Sequence, residues 1–236
     1  MKKIIITGCS GSIGNYLSNY FKKKKYKVIG IDKVTPKMKG IDFYNADMSN
    51  YTKLKKVYKK ISRKYKNVNV LVNSAGFIHN ELLIDLKSNF KTHSFNSWRN
   101  VFKNNLDITF LNSMFFIEFN CKNYFDEKLI INFSSVNSDG VVGQSAYSSS
   151  KAAIEIFTKV LALELASFKF RTACISPGYI NVDSTIKNIK KVKLDKIIQS
   201  IPLKKMGTPN DVAKGIDYVI NNKYFNGKVL KIDGGK

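Results

Sequence analysis

Apolar positions along this chain follow two alternating rhythms. Short runs such as Ile4-Ile5-Ile6 and Val70-Leu71-Val72 are separated by longer stretches in which apolar residues return every three or four positions. The short runs predict strands over Lys3–Thr7, Lys27–Ile31, Asp42–Tyr44, Val68–Val72, Leu129–Phe133, Arg171–Ile175 and Lys228–Ile232. The longer ones predict helices near Ser12–Lys24, Thr52–Tyr65, Trp98–Asn120, Ser145–Phe168 and Asn210–Asn221. Ile13, Tyr16, Leu17, Tyr20 and Phe21 form the expected stripe on the first helix. Such alternation argues for an α/β fold, a doubly wound parallel sheet of about seven strands with helices on both faces. No repeat, linker or low-complexity block divides residues 1–236, so a single domain is expected. Phe77–Ser97 and Asn181–Gly207 fit neither rhythm. Both are polar and follow a predicted strand. Ligands bind beyond the carboxyl ends of such strands, so substrate loops are expected near 77–97 and 179–207.

Composition narrows the class. A chain of 236 residues with 44% hydrophobic content can bury a substantial core. It carries 40 basic and 17 acidic residues, a net charge of +23, which raises the question of a nucleic-acid partner. Arg63, Arg99 and Arg171 are the only arginines, whereas base reading and bidentate phosphate clamps favour arginine. The lysines are scattered. Abundant Lys, Asn and Ile together fit the residue bias of an AT-rich coding sequence. No nucleic-acid partner is therefore expected, although a basic surface still attracts anionic substrates. No apolar run reaches membrane-spanning length, and the opening Met1–Thr7 is too short for a signal peptide. Cys9, Cys121 and Cys174 show no pairing or ligand spacing, which suggests a reducing, cytoplasmic setting. His79 and His93 are the only histidines, so no Cys/His zinc site and no metal is expected.

Three constellations carry chemistry. Thr7-Gly8-Cys9-Ser10-Gly11-Ser12-Ile13-Gly14 lies between the first strand and the first helix, where glycines permit a tight turn and close approach to a pyrophosphate. Asp32 ends the second strand, and a carboxylate there accepts from ribose hydroxyls and repels a 2′-phosphate. That favours NAD over NADP, with Lys33 and Lys37 leaving NADP open. Tyr147 and Lys151 stand four residues apart, on one face of a helix, where the ammonium is expected to lower the phenol pKa from its ordinary ~10. Ser134-Ser135 ends a strand at the ligand edge. Asn105 falls on the apolar stripe with Trp98, Val101 and Phe102, so its amide either caps a backbone kink or serves a site.

In order and spacing these motifs resemble the short-chain dehydrogenase/reductase family over essentially the whole chain, in its short, single-domain, Rossmann-like branch. Asp47 with Met48 resembles the segment beside the adenine, and Asn73-Ser74-Ala75-Gly76 the family's strand end. Asn105, Ser135, Tyr147 and Lys151 fall where its catalytic Asn, Ser, Tyr and Lys occur. Ser176-Pro177-Gly178 is similar to the turn passing the nicotinamide, and Gly207–Ala213 with Asp233-Gly234-Gly235 to the closing elements. The spacing Gly8, Gly11, Gly14 is that of the extended branch, but that branch needs a larger C-terminal domain than is seen before Lys236. The resemblance implies cofactor contacts at Gly8, Ser10, Gly11, Ser12, Ile13, Gly14, Asp32, Asp47, Met48, Asn73, Ala75, Gly76, Pro177, Gly178 and Ile180, joined by Tyr147 and Lys151.

It also implies roles. Tyr147 transfers a proton at the substrate oxygen, and Lys151 lowers its pKa and holds the nicotinamide ribose. Ser135 hydrogen-bonds the reacting oxygen, and Asn105 holds a water linking Lys151 to solvent. The expected activity is NAD(P)-dependent interconversion of a secondary alcohol and a ketone, on a small polar, sugar-related substrate given loops rich in Asn, Ser, His and Lys. One alternative is 3-oxoacyl-(acyl-carrier-protein) reduction, which in the family generally goes with NADPH. Another is a non-catalytic dinucleotide sensor or nucleic-acid binder, against which the intact catalytic set argues. The family commonly forms homodimers or homotetramers through the helices matching Trp98–Asn120 and Ser145–Phe168. Phe115, Phe116, Phe119, Ile156, Phe157 and Val160 supply apolar surface for that interface or for the core.

Overall fold

The computed structural model describes residues 1–121, 126–183 and 191–236. Among the described residues, seven parallel strands form one sheet: β1 Lys3–Thr7, β2 Lys27–Asp32, β3 Asp42–Asn45, β4 Val70–Asn73, β7 Lys128–Phe133, β8 Phe170–Pro177 and β9 Lys228–Ile232. Their order is β3-β2-β1-β4-β7-β8-β9, so the winding reverses between β1 and β4. A crevice forms at that reversal, beyond the strand ends.

Period-two alternation explains the layers. Ile4 and Ile6 of β1 face a core built with Leu17 and Phe21 of α1 (Ser12–Lys23) and Val212, Ile216 and Val219 of α7 (Pro209–Asn221). Ile5, pointing the other way, joins Leu54 and Ile61 of α2 (Tyr51–Lys64), Phe115 and Phe116 of α4 (Ile108–Asn120), and Leu161 of α5 (Ser145–Leu165). The two phenylalanines of α4 thus belong to the core. Ile156 and Val160 of α5 stay exposed. Among the described residues no helix is long and apolar enough to cross a membrane.

Three segments depart from the expected elements. The Trp98–Asn120 helix begins earlier, as α3 (Phe95–Phe102), because the Ser94 hydroxyl accepts from Ser97 N and caps it. It then widens into a π-helical turn over Lys103–Asp107 before α4. The 77–97 loop holds a small antiparallel hairpin, β5 (Ile84–Asp85) and β6 (Lys91–Thr92), with Asn89 and Phe90 in the left-handed region at its tip. The 181–207 loop contains a helix, α6 (Lys191–Ser200). Residues 184–190 of that loop lie outside the described part.

Candidate active site

The turn from β1 to α1 is fitted tightly against β4. Gly8 has φ +67°, a conformation L side chains rarely adopt, and a Cβ on it would stand 2.8 Å from Ala75 Cα. A Cβ on Gly14 would come 2.1 Å from Gly8 O. Asp32 locks the turn from the neighbouring strand, its Oδ2 accepting from Ser10 N (3.0 Å) and its Oδ1 from Val34 N (3.1 Å). Gly11 is the N-cap of α1 and brings no side-chain cap, so the first helical turn presents backbone to the crevice.

The crevice is a cleft of about 810 Å³. Its wall includes Gly8, Ser10, Gly11, Ser12, Ile13, Gly14, Asp32, Asp47, Met48, Ala75, Gly76, Ser135, Tyr147, Lys151, Pro177, Gly178 and Ile180. Asn73 departs from this set. Its amide donates to Ser113 Oγ (3.1 Å) and Asn132 Oδ1 (2.9 Å), in a buried polar layer that runs on to Thr158. The side chain of a strand residue on that face turns into the layer rather than toward ligand. Asn100, Asn104 and Val182 also line the cleft and escaped the sequence reading. For the asparagines a signal existed in their i, i+4 spacing, realised as a bond from Asn104 Nδ2 to Asn100 O (2.8 Å).

At the other end of the cleft, the first turns of α5 carry Tyr147 and Lys151. Lys151 is 4% exposed; its Nζ donates to Phe133 O (2.9 Å) and lies 5.8 Å from the centre of the Tyr147 ring. Burial drives its pKa down from 10.5 to about 8. The expected lowering of the Tyr147 pKa is reversed in this arrangement. Burial lifts the phenol above its ordinary value, and only a hydrogen bond with the Ser135 side chain pulls it back. The ammonium is directed at the Phe133 carbonyl, which is why desolvation wins.

Asn105 sits within the π turn, fully buried. Its Oδ1 accepts from Phe77 N (2.7 Å), and its Nδ2 donates to Phe77 O (3.0 Å) and Ser150 Oγ (3.0 Å). The amide reaches Phe77 and Ser150 rather than the backbone of the π turn in which it sits. A Cβ on Gly76 would stand 3.3 Å from Asn105 Oδ1 and equally far from Lys151 Nζ, so these groups converge behind the cleft wall.

A reversal-point cleft with a glycine turn at one end and a Tyr/Lys/Ser cluster at the other suits a nicotinamide dinucleotide, since absent Cβ atoms at Gly8 and Gly14 leave the backbone open to close approach. The class is a dinucleotide-dependent oxidoreductase. The family sequence model described as enoyl-(acyl carrier protein) reductase matches residues 12–236. The chain is 29% identical over 248 residues to the 3-oxoacyl-(acyl-carrier-protein) reductase FabG of Thermotoga maritima, covering 99% of this chain and 97% of that protein. A solved 4-hydroxyisoleucine dehydrogenase complexed with NADH superposes with a TM-score of 0.87 at 26% identity, covering 100% and 98% of the two chains. A short-chain dehydrogenase from Leptospira borgpetersenii with bound NAD+ gives a TM-score of 0.88 at 27% identity, covering 99% and 92%. The chain belongs to the short-chain dehydrogenase/reductase family and is an oxidoreductase acting on CH–OH or keto groups with NAD(P).

Proposed function

We propose that the protein interconverts a secondary alcohol and a ketone with NAD, using Tyr147 as proton donor and acceptor. The convergence of Tyr147, Lys151 and Ser135 at one end of the cleft carries this reading. Bound dinucleotide supplies or accepts the hydride. Ser135 orients the substrate oxygen toward the phenol and stabilises the charge that develops on it. Lys151, with its pKa near 8, is charged in most molecules at neutral pH and favours phenolate once the two groups draw together. Asn105 acts as a positioning residue, holding the Phe77 backbone and Ser150. Asp32 supports NAD, because its buried carboxylate disfavours a 2′-phosphate beside it. The substrate is a small polar hydroxy or keto compound, received by Asn100 and Asn104.

A second substrate reading, a 3-oxoacyl thioester, draws on the apolar Phe77, Ile78 and Val182 of the same wall and on the similarity to the Thermotoga reductase. One set of assays tests these assignments. Tyr147→Phe is expected to lower kcat at least a thousandfold while NADH affinity stays within about threefold. Unchanged turnover sinks the mechanism, and a much lower dissociation constant for NADPH than for NADH overturns the cofactor choice. A preference for acetoacetyl thioesters over polyols selects the second substrate. We further infer a homodimer through the exposed face of α4 and α5, where Phe110, Leu111, Ile156, Phe157 and Val160 line an apolar groove of about 750 Å³.

A further inference from the structure

The only two histidines of the chain meet in space, although no metal-binding spacing links them in sequence. His79 Nε2 lies 2.9 Å from Glu81 Oε2, and His93 Nδ1 lies 3.6 Å from the same oxygen. The three ligand atoms fall within 4.8 Å of one another. Tetrahedral zinc, with bonds of about 2.0–2.1 Å to nitrogen and oxygen, separates its ligand atoms by roughly 3.3–3.4 Å. The two edges to the carboxylate oxygen straddle that value, and the edge between the imidazoles, within 4.8 Å, closes on it by rotation of the two histidine side chains. Burial is graded suitably: the His93, Glu81 and His79 side chains are 5%, 19% and 31% exposed. The cluster is shielded from below and open above.

The surroundings hold the donors in place. Glu81 Oε1 accepts from Ser94 N (3.1 Å), which leaves Oε2 for the imidazoles. The His93 ring packs edge-on to Trp98 with centroids 6.4 Å apart, and His79 stacks on Phe77 at 6.2 Å. His93 Nδ1 also lies 2.9 Å from Ser94 O, a contact that coordination would replace.

We propose that His79 Nε2, His93 Nδ1 and Glu81 Oε2 bind one borderline divalent transition cation such as Zn2+, with a fourth position left to solvent. Two imidazoles and a carboxylate are the donor chemistry such ions favour over Mg2+ or Ca2+. The bound ion staples the excursion between β4 and α3 to two helix starts. Glu81 N donates to Gly143 O (2.8 Å), next to the N-cap of α5, and Glu81 Oε1 receives the N–H of Ser94, the N-cap of α3. Those two helices present Tyr147 and Asn100 to the cleft. The site therefore sets the frame of the substrate side without touching the reacting atoms.

The test uses untagged protein of residues 1–236, stripped by chelator and dialysed, then titrated with Zn2+ by calorimetry and by metal analysis after gel filtration. One Zn2+ per chain is expected, with affinity falling roughly a hundredfold or more in Glu81→Gln and in the double variant His79→Gln/His93→Gln. Cys121→Ser is expected to bind as the parent does, which separates this site from adventitious thiol binding. Zn2+ is also expected to slow tryptic cleavage after Lys87 and Lys91 in the parent and not in Glu81→Gln. No binding at millimolar Zn2+, binding that survives loss of both histidines, or binding lost with Cys121 overturns the site. Stoichiometric binding without protection of the hairpin overturns its role as a staple.

Discussion

A buried ammonium is costly, and Lys151 keeps its position at the expense of the fold. Its pKa of about 8 in the folded chain, against 10.5 for the free side chain, means that the unfolded state binds more protons between these values. Stability contributed by this residue therefore rises as pH climbs from about 8 to 10.5. The penalty stands in full below about 8, where it amounts to at most roughly 3 kcal/mol. Replacing Lys151 with Met removes the charge, though it strands the Phe133 carbonyl at a cost of about 1 kcal/mol. Lys151→Met is thus expected to be more stable than the parent at pH 7 by about 1–2 kcal/mol, and inactive, with the stability gap closing by pH 10.5. Urea unfolding of both proteins across that range checks it. A gap independent of pH would show that burial of the charge is not its source.

At the level of elements, β1, the glycine turn and α1 form a unit whose parts act only together. Gly14 lies inside a helix, where Gly→Ala ordinarily stabilises by up to about 1 kcal/mol. Here the added methyl would collide with the Gly8 carbonyl at 2.1 Å, so the sign is expected to reverse. Gly14→Ala should destabilise the protein by about 1–3 kcal/mol and weaken NADH binding at least tenfold, as the turn shifts away from Asp32 and Ala75. Gly11→Ala serves as the contrast, since its φ of −71° suits alanine and its Cβ would meet Gly8 O at 3.3 Å. Equal losses in the two variants, by calorimetric unfolding and binding titration, would refute the packing argument. This unit was legible in the sequence because its signals are local: an apolar run, glycines at a junction, then an amphipathic stripe. The π turn was legible only as a misplaced amide, Asn105 on an apolar stripe, because the partner that amide bonds, Phe77, lies 28 residues away. Asn73 misled for a related reason, since register with Asn132 turns its amide into the buried layer and away from the cleft. The histidine pair stayed hidden because a hairpin folds the two rings onto one carboxylate.

For the whole molecule the question is whether copies carrying a net charge of +23 associate as proposed. The inferred surface has the apolar character an interface requires. Ile156, Val160 and Leu163 stand at i, i+4 and i+7 along α5, exposed by 63%, 40% and 76%, beside Phe110 of α4. Burying such side chains drives association at about 25 cal/mol per Å² of apolar area, while long-range repulsion between like-charged copies opposes it. Salt screens the repulsion and leaves the apolar contact intact, so dimerisation is expected to strengthen as ionic strength rises. An interface held by ion pairs would weaken instead. Sedimentation velocity at low and high salt separates these cases. Ile156→Glu, which places a carboxylate in the groove lined also by Asp107, is expected to leave a folded monomer at every salt concentration. A parent protein monomeric at high salt and high concentration, or an Ile156→Glu variant that still dimerises, would move the interface elsewhere. The placement also bears on catalysis, because the face of α5 that would meet the partner lies on the same helix as Tyr147 and Lys151, whose first turns it would brace.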